Sequence, residues 1–167
     1  MTHIIYELAV NQDIQERLRE EIEFALEGLT VDDEKYYETV TGKDSLPYLD
    51  SCIKETLRKY PPLTRIERRV GVDGYHLTPT LTLEKDTVVQ VSTYALHHNP
   101  QYWPDPQRFD PDRFSAERRH TIQPYTYLPF GSGSRNWQVR TGNKFSKALR
   151  LIKFYFQYWH AICLPGN

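Results

Sequence analysis

Glu55 and Arg58 carry opposite charges and lie three residues apart in the sequence. In a helix this spacing places both side chains on one face, where they form an ion pair. An exposed pair of this kind contributes only about 0.3–0.5 kcal/mol, so the spacing alone predicts a surface contact. A third charge, Arg113, follows Pro111 by two residues and directly precedes Phe114. Proline and aromatic neighbours favour partial burial of its guanidinium, which would then require a carboxylate partner.

The first two charges need a helix to position them. Apolar residues recur at intervals of three and four from Leu49 to Tyr60, which predicts a helix with a single buried face. Ser45 is the predicted N-cap, and Pro47 suits the first turn. Pro61 predicts the end of the helix, because it lacks a backbone N–H and disfavours helical dihedrals in the preceding residue.

The flanking sequence predicts the remaining elements. Residues 1–29 have helical periodicity, whereas residues 30–42 are polar and predict a surface linker. After Pro62 the period shortens to two, which predicts short strands with turns at residues 73–74 and 84–86. The predicted fold class is therefore mainly α with a small β-sheet, an α+β arrangement.

The composition restricts the class of protein. The chain has 167 residues, 39% of them hydrophobic, and a net charge of −1, which gives no reason to expect a nucleic-acid partner. Its two cysteines, Cys52 and Cys163, have the spacing of neither a disulfide framework nor a metal site. No apolar run approaches the roughly 18 residues of a membrane span, so we expect none in this chain.

Together the Glu-x-x-Arg pair and the segment around Arg113 resemble the Glu-x-x-Arg and Pro-Glu-Arg-Phe elements of the cytochrome P450 family. In that family one glutamate and two arginines form a buried network that stabilises the haem-side core. The resemblance implies this role for Glu55, Arg58 and Arg113, and an incomplete, C-terminal part of the P450 fold. The family also has the order Trp-x-x-Pro-x-x-Phe-x-Pro-x-Arg-Phe, matched here by Trp103, Pro106, Phe109, Pro111, Arg113 and Phe114.

Residues 128–136 resemble the haem-binding loop of the family. By that resemblance, Phe130 would pack beside the axial ligand of the iron, and Arg135 would bind a haem propionate. The two glycines of the loop, Gly131 and Gly133, would let the backbone approach the porphyrin closely. The resemblance therefore implies haem as the cofactor.

The segment after the Glu-x-x-Arg helix also resembles the family. That match makes Arg68 a second propionate partner and places Leu63 and Thr64 near the substrate side of the haem. Without the resemblance, Arg68 would be interpreted as part of a solvated basic strand.

The residue at the position of the family's axial cysteine is Trp137. An indole nitrogen is only a hydrogen-bond donor and cannot ligate iron. Cys52 is predicted to face a helix core, and the other candidate ligands, His97, His98 and His120, are predicted to be surface or packing residues. We therefore predict no metal ligand in this chain.

Two domains are predicted from these matches. Residues 1–136 would form a partial P450 haem domain, and residues 137–167 a diverged or non-family tail, for which a retained intron, a frame error and a pseudogene are alternative origins. The oxygen-activating helix of the family is expected upstream of Met1, so we expect no intact catalytic residue here.

The resemblance also implies a candidate partner surface. Two alternatives are open for a set of basic residues: they would form a face that binds a reductase, or they would remain scattered solvated charges. These residues are Arg118, Arg119, Arg140, Lys144 and Lys147.

Three functions are compatible with the sequence. The first is a fragment of a haem-thiolate monooxygenase, which inserts one oxygen atom of O2 into a small apolar substrate using electrons from an NADPH-dependent reductase. A full-length relative would lie at the cytosolic face of the endoplasmic reticulum membrane. The second is a non-catalytic, haem-free remnant or a mis-spliced or pseudogene product. The third is an unrelated α+β interaction domain, against which the ordered aromatic and proline residues argue.

Overall fold

The computed structural model describes residues 2–29, 33–42 and 45–132. This part of the chain contains five α-helices and four short strands, so the mainly α, α+β prediction is confirmed. The elements are α1 (Thr2–Val10), α2 (Gln12–Ala25), α3 (Glu34–Thr41), α4 (Pro47–Lys59), β1 (Arg65–Arg69), β2 (Tyr75–Thr78), β3 (Leu81–Leu83), β4 (Val88–Ser92) and α5 (Thr93–His97).

The hydrophobic core lies between α1, α2 and α4, each of which contributes apolar residues at helical spacing. Burial of each large aliphatic side chain contributes about 1.5–3 kcal/mol, so this cluster holds the helices together. Within the described residues, no helix combines the length and hydrophobicity that a membrane span requires. The buried core residues are Ile4, Leu8, Ile14, Leu18, Ile22, Leu46, Leu49, Cys52, Ile53 and Phe109.

The start of α4 is capped by a residue of another helix. Leu46, not Ser45, occupies the N-cap, and its side chain makes no capping hydrogen bond, so the predicted Ser45 cap is wrong. Instead, the carboxylate of Glu21 in α2 accepts hydrogen bonds from the backbone N–H groups of Tyr48 at 2.7 Å and Leu49 at 2.9 Å. An ionised acceptor suits this position because the amino end of a helix carries partial positive charge.

The strands form two separate two-stranded sheets, whereas the sequence predicted a single small sheet. β1 pairs antiparallel with β4, from Arg65 opposite Ser92 to Arg69 opposite Val88. β2 pairs antiparallel with β3. The turn predicted at residues 73–74 is present, and Gly74 adopts a left-handed conformation with a φ of 67°.

The polar segment before α4 contains a helix, so the prediction of a linker over residues 30–42 is wrong where α3 runs. Asp33, an acidic residue, lies at the N-cap of α3. Acidic residues at this end interact favourably with the helix dipole. A polar composition therefore does not exclude a short surface helix.

Candidate functional site

Helix α4 brings Glu55 and Arg58 together in the protein interior. The Arg58 Nε donates to Glu55 Oε2 at 2.8 Å, and Nη2 donates to Oε1 at 2.8 Å, which makes a bidentate pair. Both side chains have 0% of their surface exposed. The pair is therefore not the surface contact that its spacing alone predicted. Charge-assisted, bidentate geometry is the arrangement in which such a pair is strongest.

The remaining donors of the Arg58 guanidinium bind backbone carbonyl groups of distant segments. Nη1 donates to the carbonyl oxygen of His97 at 2.9 Å, and Nη2 donates to that of Pro106 at 2.9 Å. The guanidinium carbon also lies 5.5 Å from the centre of the Trp103 ring. Arg58 thus connects α4 to α5 and to residues 99–110, the proline-rich loop, and its rigid fork is suited to several partners at once.

Arg113 lies in a single turn of 3₁₀-helix, Pro111–Phe114, that packs against α4. Its Nε is 3.5 Å from Glu55 Oε1, and its Nη2 donates to the carbonyl oxygen of Asp105 at 3.0 Å. The backbone N–H of Asp110 also donates to Glu55 Oε1, at 3.1 Å. The structure therefore places one buried carboxylate between two guanidinium groups and a backbone donor.

This cluster holds segments together and has no arrangement for acid–base or nucleophilic chemistry. Every oxygen of Glu55 is occupied by a donor within the protein. Removing one partner of a buried ion pair typically costs about 3–5 kcal/mol, because the other charge is left buried without compensation. The cluster can therefore fix the proline-rich loop against α4, but it offers no free group to a substrate.

His97 extends the cluster towards residues 128–132, the described start of the predicted haem loop, which we call the glycine loop. Sequence reasoning did not identify this role. The ring is fully buried, in agreement with the prediction of a packing residue, whereas His98 is partly buried and His120 is exposed. Its Nδ1 lies 3.1 Å from the carbonyl oxygen of Arg58, and its Nε2 accepts from the backbone N–H of Leu128 at 2.8 Å. Burial lowers the pKa of His97 to about 4.

The start of the predicted haem loop lies next to β1. Phe130 is buried, and Gly131 has a φ of 77°, a conformation that favours glycine. A Cβ on Gly131 would lie 3.5 Å from the side chain of Ile66, in ordinary contact. Arg68 is exposed, and its Nη2 donates to the carbonyl oxygen of Ser132 at 3.3 Å. The structure thus brings Arg68 to the glycine loop.

The two residues predicted to lie near the substrate come directly before β1. Leu63 is partly buried, and Thr64 is exposed. Thr64 contributes to an open cleft of about 580 Å³, which is also lined by Arg65, Gln90 and Tyr94. The remaining predicted site residues, Gly133, Arg135 and Trp137, lie outside the described residues.

Metal-ligating side chains do not converge in the described part of the chain. No three His, Cys, Asp or Glu side chains lie close enough there to hold an ion. Cys52 is 0% exposed in the helix core, and desolvation raises the pKa of its thiol well above the ordinary value. A neutral thiol in this position is not a metal ligand, because the thiolate is the form that coordinates.

Comparison with known proteins identifies the family. A family profile, Cytochrome P450, matches residues 1–136. The chain is 44% identical to cytochrome P450 9e2 of Blattella germanica over 165 residues, which is 98% of this chain and 28% of that relative. It is 43% identical to cytochrome P450 6k1 of the same organism over 81% of this chain and 25% of the relative.

A mammalian relative gives a similar match. The chain is 43% identical to cytochrome P450 3A2 of Rattus norvegicus over 140 residues, which is 81% of this chain and 25% of that relative. The chain therefore spans about a quarter of the length of the curated relatives that it matches. Because the profile covers most of the chain, and relatives that are 43–44% identical to it align with at least 81% of its residues, the chain belongs to the cytochrome P450 family.

Proposed function

We propose that this chain forms the part of a haem-thiolate monooxygenase that supports the haem loop. The reaction would insert one oxygen atom of O2 into a small apolar substrate, with electrons from an NADPH-dependent reductase. The observation that carries the proposal is the Glu55 carboxylate, buried between Arg58 at 2.8 Å and Arg113 at 3.5 Å. Membership of the family supports the reaction class.

Haem is the cofactor of the family, so the fit of the residues to that group matters. Gly131 and Phe130 suit a close approach of the porphyrin, because the backbone at Gly131 is left-handed and Phe130 is buried beside it. Arg68 is exposed and lies at the same loop, which suits pairing with a propionate. Gly133 and Arg135 keep the roles that the family resemblance gives them, as further parts of this proposal.

The residue at the axial position of the predicted haem site is not suited to bind iron. Trp137 stands where the family has its cysteine, and its indole offers a hydrogen-bond donor without a lone pair for iron. Cys52 does not replace it, because its thiol is buried in the helix core. For this reason no step of the reaction is assigned to a haem bound by this chain.

The mismatch supports a second candidate function. In this alternative the chain is a non-catalytic, haem-free P450 remnant, or the product of mis-splicing or of a pseudogene. The observation that favours it is Trp137, which opens the predicted tail over residues 137–167. Sequencing the spliced transcript tests the mis-splicing origin, since a continuous in-frame message encoding this tail would exclude it.

Partners and location follow the family. We propose the cytosolic face of the endoplasmic reticulum membrane as the location of a full-length relative. The exposed residues Arg118 and Arg119 would contribute to a face for the reductase, although Arg118 already pairs with Asp110 at 3.3 Å. Thr64 would border the substrate because it lines the open cleft beside β1, and Leu63 would do so as the residue directly before it.

Haem binding tests the two candidates directly. The chain and its Trp137→Cys variant are supplied with haem, reduced and exposed to carbon monoxide, and Soret absorption is recorded. We expect no thiolate-type band from the unchanged chain and a thiolate-type band from Trp137→Cys. A Cys52→Ser variant of the Trp137→Cys chain serves as the control, since it should keep the band if the new cysteine is the ligand.

The outcomes separate the candidates. A thiolate-type band from the unchanged chain would exclude the haem-free remnant. A Trp137→Cys chain that is folded by circular dichroism but takes up no haem would count against the monooxygenase scaffold.

A further inference from the structure

His97 joins two elements that are distant in sequence. It is the last residue of α5 and is 0% exposed. On one side its Nδ1 contacts the carbonyl oxygen of Arg58, near the end of α4, and on the other side its Nε2 contacts the N–H of Leu128. Leu128 lies three residues before Gly131, whose N–H donates to the Leu128 carbonyl oxygen at 3.2 Å. A single imidazole therefore bridges α4 and the entrance to the glycine loop.

The two contacts determine the protonation state of the ring. The backbone N–H of Leu128 is only a donor, so Nε2 must carry a lone pair and no hydrogen. The carbonyl oxygen of Arg58 is only an acceptor, so Nδ1 must carry the hydrogen. The bridge therefore requires the neutral Nδ1–H tautomer of His97, as assigned from its partners. Protonation of Nε2 would place two N–H donors 2.8 Å apart and break the contact to Leu128.

We propose that His97 is a positioning residue that acts as an acid-sensitive latch, holding the segment before the glycine loop against the end of α4. Neutral His97 closes the latch, and charged His97 opens it at Leu128. Both hydrogen bonds of the latch lie within the protein, so its action does not depend on whether the chain binds haem.

The surroundings of His97 oppose its protonation. From α4, the guanidinium of Arg58 faces it and repels a second positive charge, while Glu55 is already paired with Arg58. His98, which directly follows α5, is the other basic neighbour, and it also disfavours a charge on His97. From the loop segments, the ring of Trp103 meets it edge-on at 6.5 Å, and the ring of Tyr127 stacks at 5.6 Å.

The neighbouring phenol also supplies no negative charge, since burial raises the pKa of Tyr127 well above its ordinary value. Burial is the main reason why the pKa of His97 falls to about 4, from an ordinary value of 6.5. Because the closed latch binds fewer protons than the open one between these values, it is stable above pH 6.5 and weakens as the pH falls towards 4.

Nuclear magnetic resonance of the full chain tests the latch. Imidazole nitrogen shifts at neutral pH should identify His97 as the Nδ1–H tautomer. Amide exchange should show that the protection factor of Leu128 falls, by up to about tenfold per pH unit, between pH 6.5 and pH 4. The amide of Tyr60, which donates to the Thr56 carbonyl oxygen within α4, is the internal control and should change little.

Two variants separate the latch from a merely structural role. His97→Gln keeps an acceptor for Leu128 but has no titratable group, so Leu128 should remain protected and lose its pH dependence. His98→Gln removes one neighbouring basic group, so the pH dependence of Leu128 protection should persist, with only a small shift of its midpoint to higher pH. The proposal would be overturned by an Nε2–H tautomer in the unchanged chain, by pH-independent protection of Leu128, or by a His97→Gln chain that keeps the dependence. If His97→Gln does not fold, the tautomer and the exchange of the unchanged chain still decide the question.

Discussion

Arg58 and His97 hold each other through two hydrogen bonds that run in opposite directions. Arg58 Nη1 donates to the carbonyl oxygen of His97 at 2.9 Å, and His97 Nδ1 donates to the carbonyl oxygen of Arg58 at 3.1 Å. Each residue thus satisfies a buried backbone carbonyl of the other, which would otherwise cost free energy. The pair connects the Glu55 cluster to the loop that begins at Leu128.

The first prediction concerns the shape of the Arg58 side chain. An Arg58→Lys substitution keeps the charge but loses the fork that binds Glu55 and two carbonyl groups together. We expect the free energy of unfolding to fall by about 2–4 kcal/mol, as measured by urea denaturation. Arg19→Lys is the matched control, since Arg19 pairs with Glu16 at the same spacing but is 39% exposed. It should change the free energy by less than about 0.5 kcal/mol, and an equal effect of both substitutions would contradict the prediction.

The second prediction concerns the cap that α2 provides to α4. Glu21→Ala removes the acceptor of the Tyr48 and Leu49 amides, so it should destabilise the protein by about 1–2 kcal/mol. The exchange of these two amides should also accelerate relative to those at the other end of α4. Glu20→Ala tests the neighbouring, exposed position and should have little effect on either measurement. Equal effects of the two substitutions would show that the carboxylate of Glu21 does not cap the helix.

The third prediction concerns the backbone of the glycine loop. Gly131→Ala places a side chain where φ is 77°, a conformation that costs other residues about 1–2 kcal/mol. The new methyl group meets only ordinary contact with Ile66, so the strain should come from the backbone alone. Gly71→Ala is the control, because a Cβ added there would meet no atom within 4 Å and the φ of Gly71 is not positive. Thermal unfolding should show a lower midpoint for Gly131→Ala only.

The fourth prediction concerns the contact between α1 and the end of α4. The hydroxyl of Tyr60 donates to Glu7 Oε1, which Lys59 also contacts at 2.7 Å. Tyr60→Phe should cost about 1 kcal/mol below pH 10. Desolvation, followed by the hydrogen bond to Glu7, raises the pKa of Tyr60 above its ordinary value of 10. The neutral phenol is therefore favoured in the folded state, and the contribution of Tyr60 should fall as the pH rises above 10.

Urea denaturation of both chains across this pH range measures the difference. Tyr125→Phe is the control, because Tyr125 is 75% exposed, and it should have no comparable effect. A Tyr60→Phe difference that grows above pH 10 would be opposite in sign to the expectation.

The elements of the fold were predictable where the signal is local. The end of α4 follows from Pro61, since a proline blocks the hydrogen bond that would continue the helix. The turn at Gly74 follows from its pairing with Asp73. One of the short strands predicted after Pro62 corresponds to β4, Val88–Ser92, which follows the turn predicted at residues 84–86. These features depend on neighbours in sequence, which a pattern can detect.

The burial of the charged cluster was not predictable from spacing. Glu16 and Arg19 have the same separation as Glu55 and Arg58, yet the first pair is exposed and the second is fully buried. The two pairs differ because the segment around Arg113, which is distant in sequence, packs over Glu55 and Arg58. Only the family resemblance pointed to that contact.

The contacts of Glu21 and His97 could not be predicted from the sequence either, because their partners are also distant along the chain. Glu21 lies in a helical pattern of polar residues, and nothing near it shows that its carboxylate caps another helix. His97 is one of several histidines, and its partner Leu128 is 31 residues away. A long-range hydrogen bond to a backbone group produces no recognisable sequence pattern, because almost every residue type can supply the backbone N–H or carbonyl group.

The cap of α4 also has a consequence for the order in which the chain is made. Glu21 precedes Tyr48 by 27 residues, so a ribosome has synthesised the acceptor before the amides that need it. Once α2 has formed in the nascent chain, the amides of Tyr48 and Leu49 can bind the Glu21 carboxylate as soon as they emerge. The hydrogen-bond acceptor for the first turn of α4 is therefore supplied by a part of the polypeptide that was translated earlier.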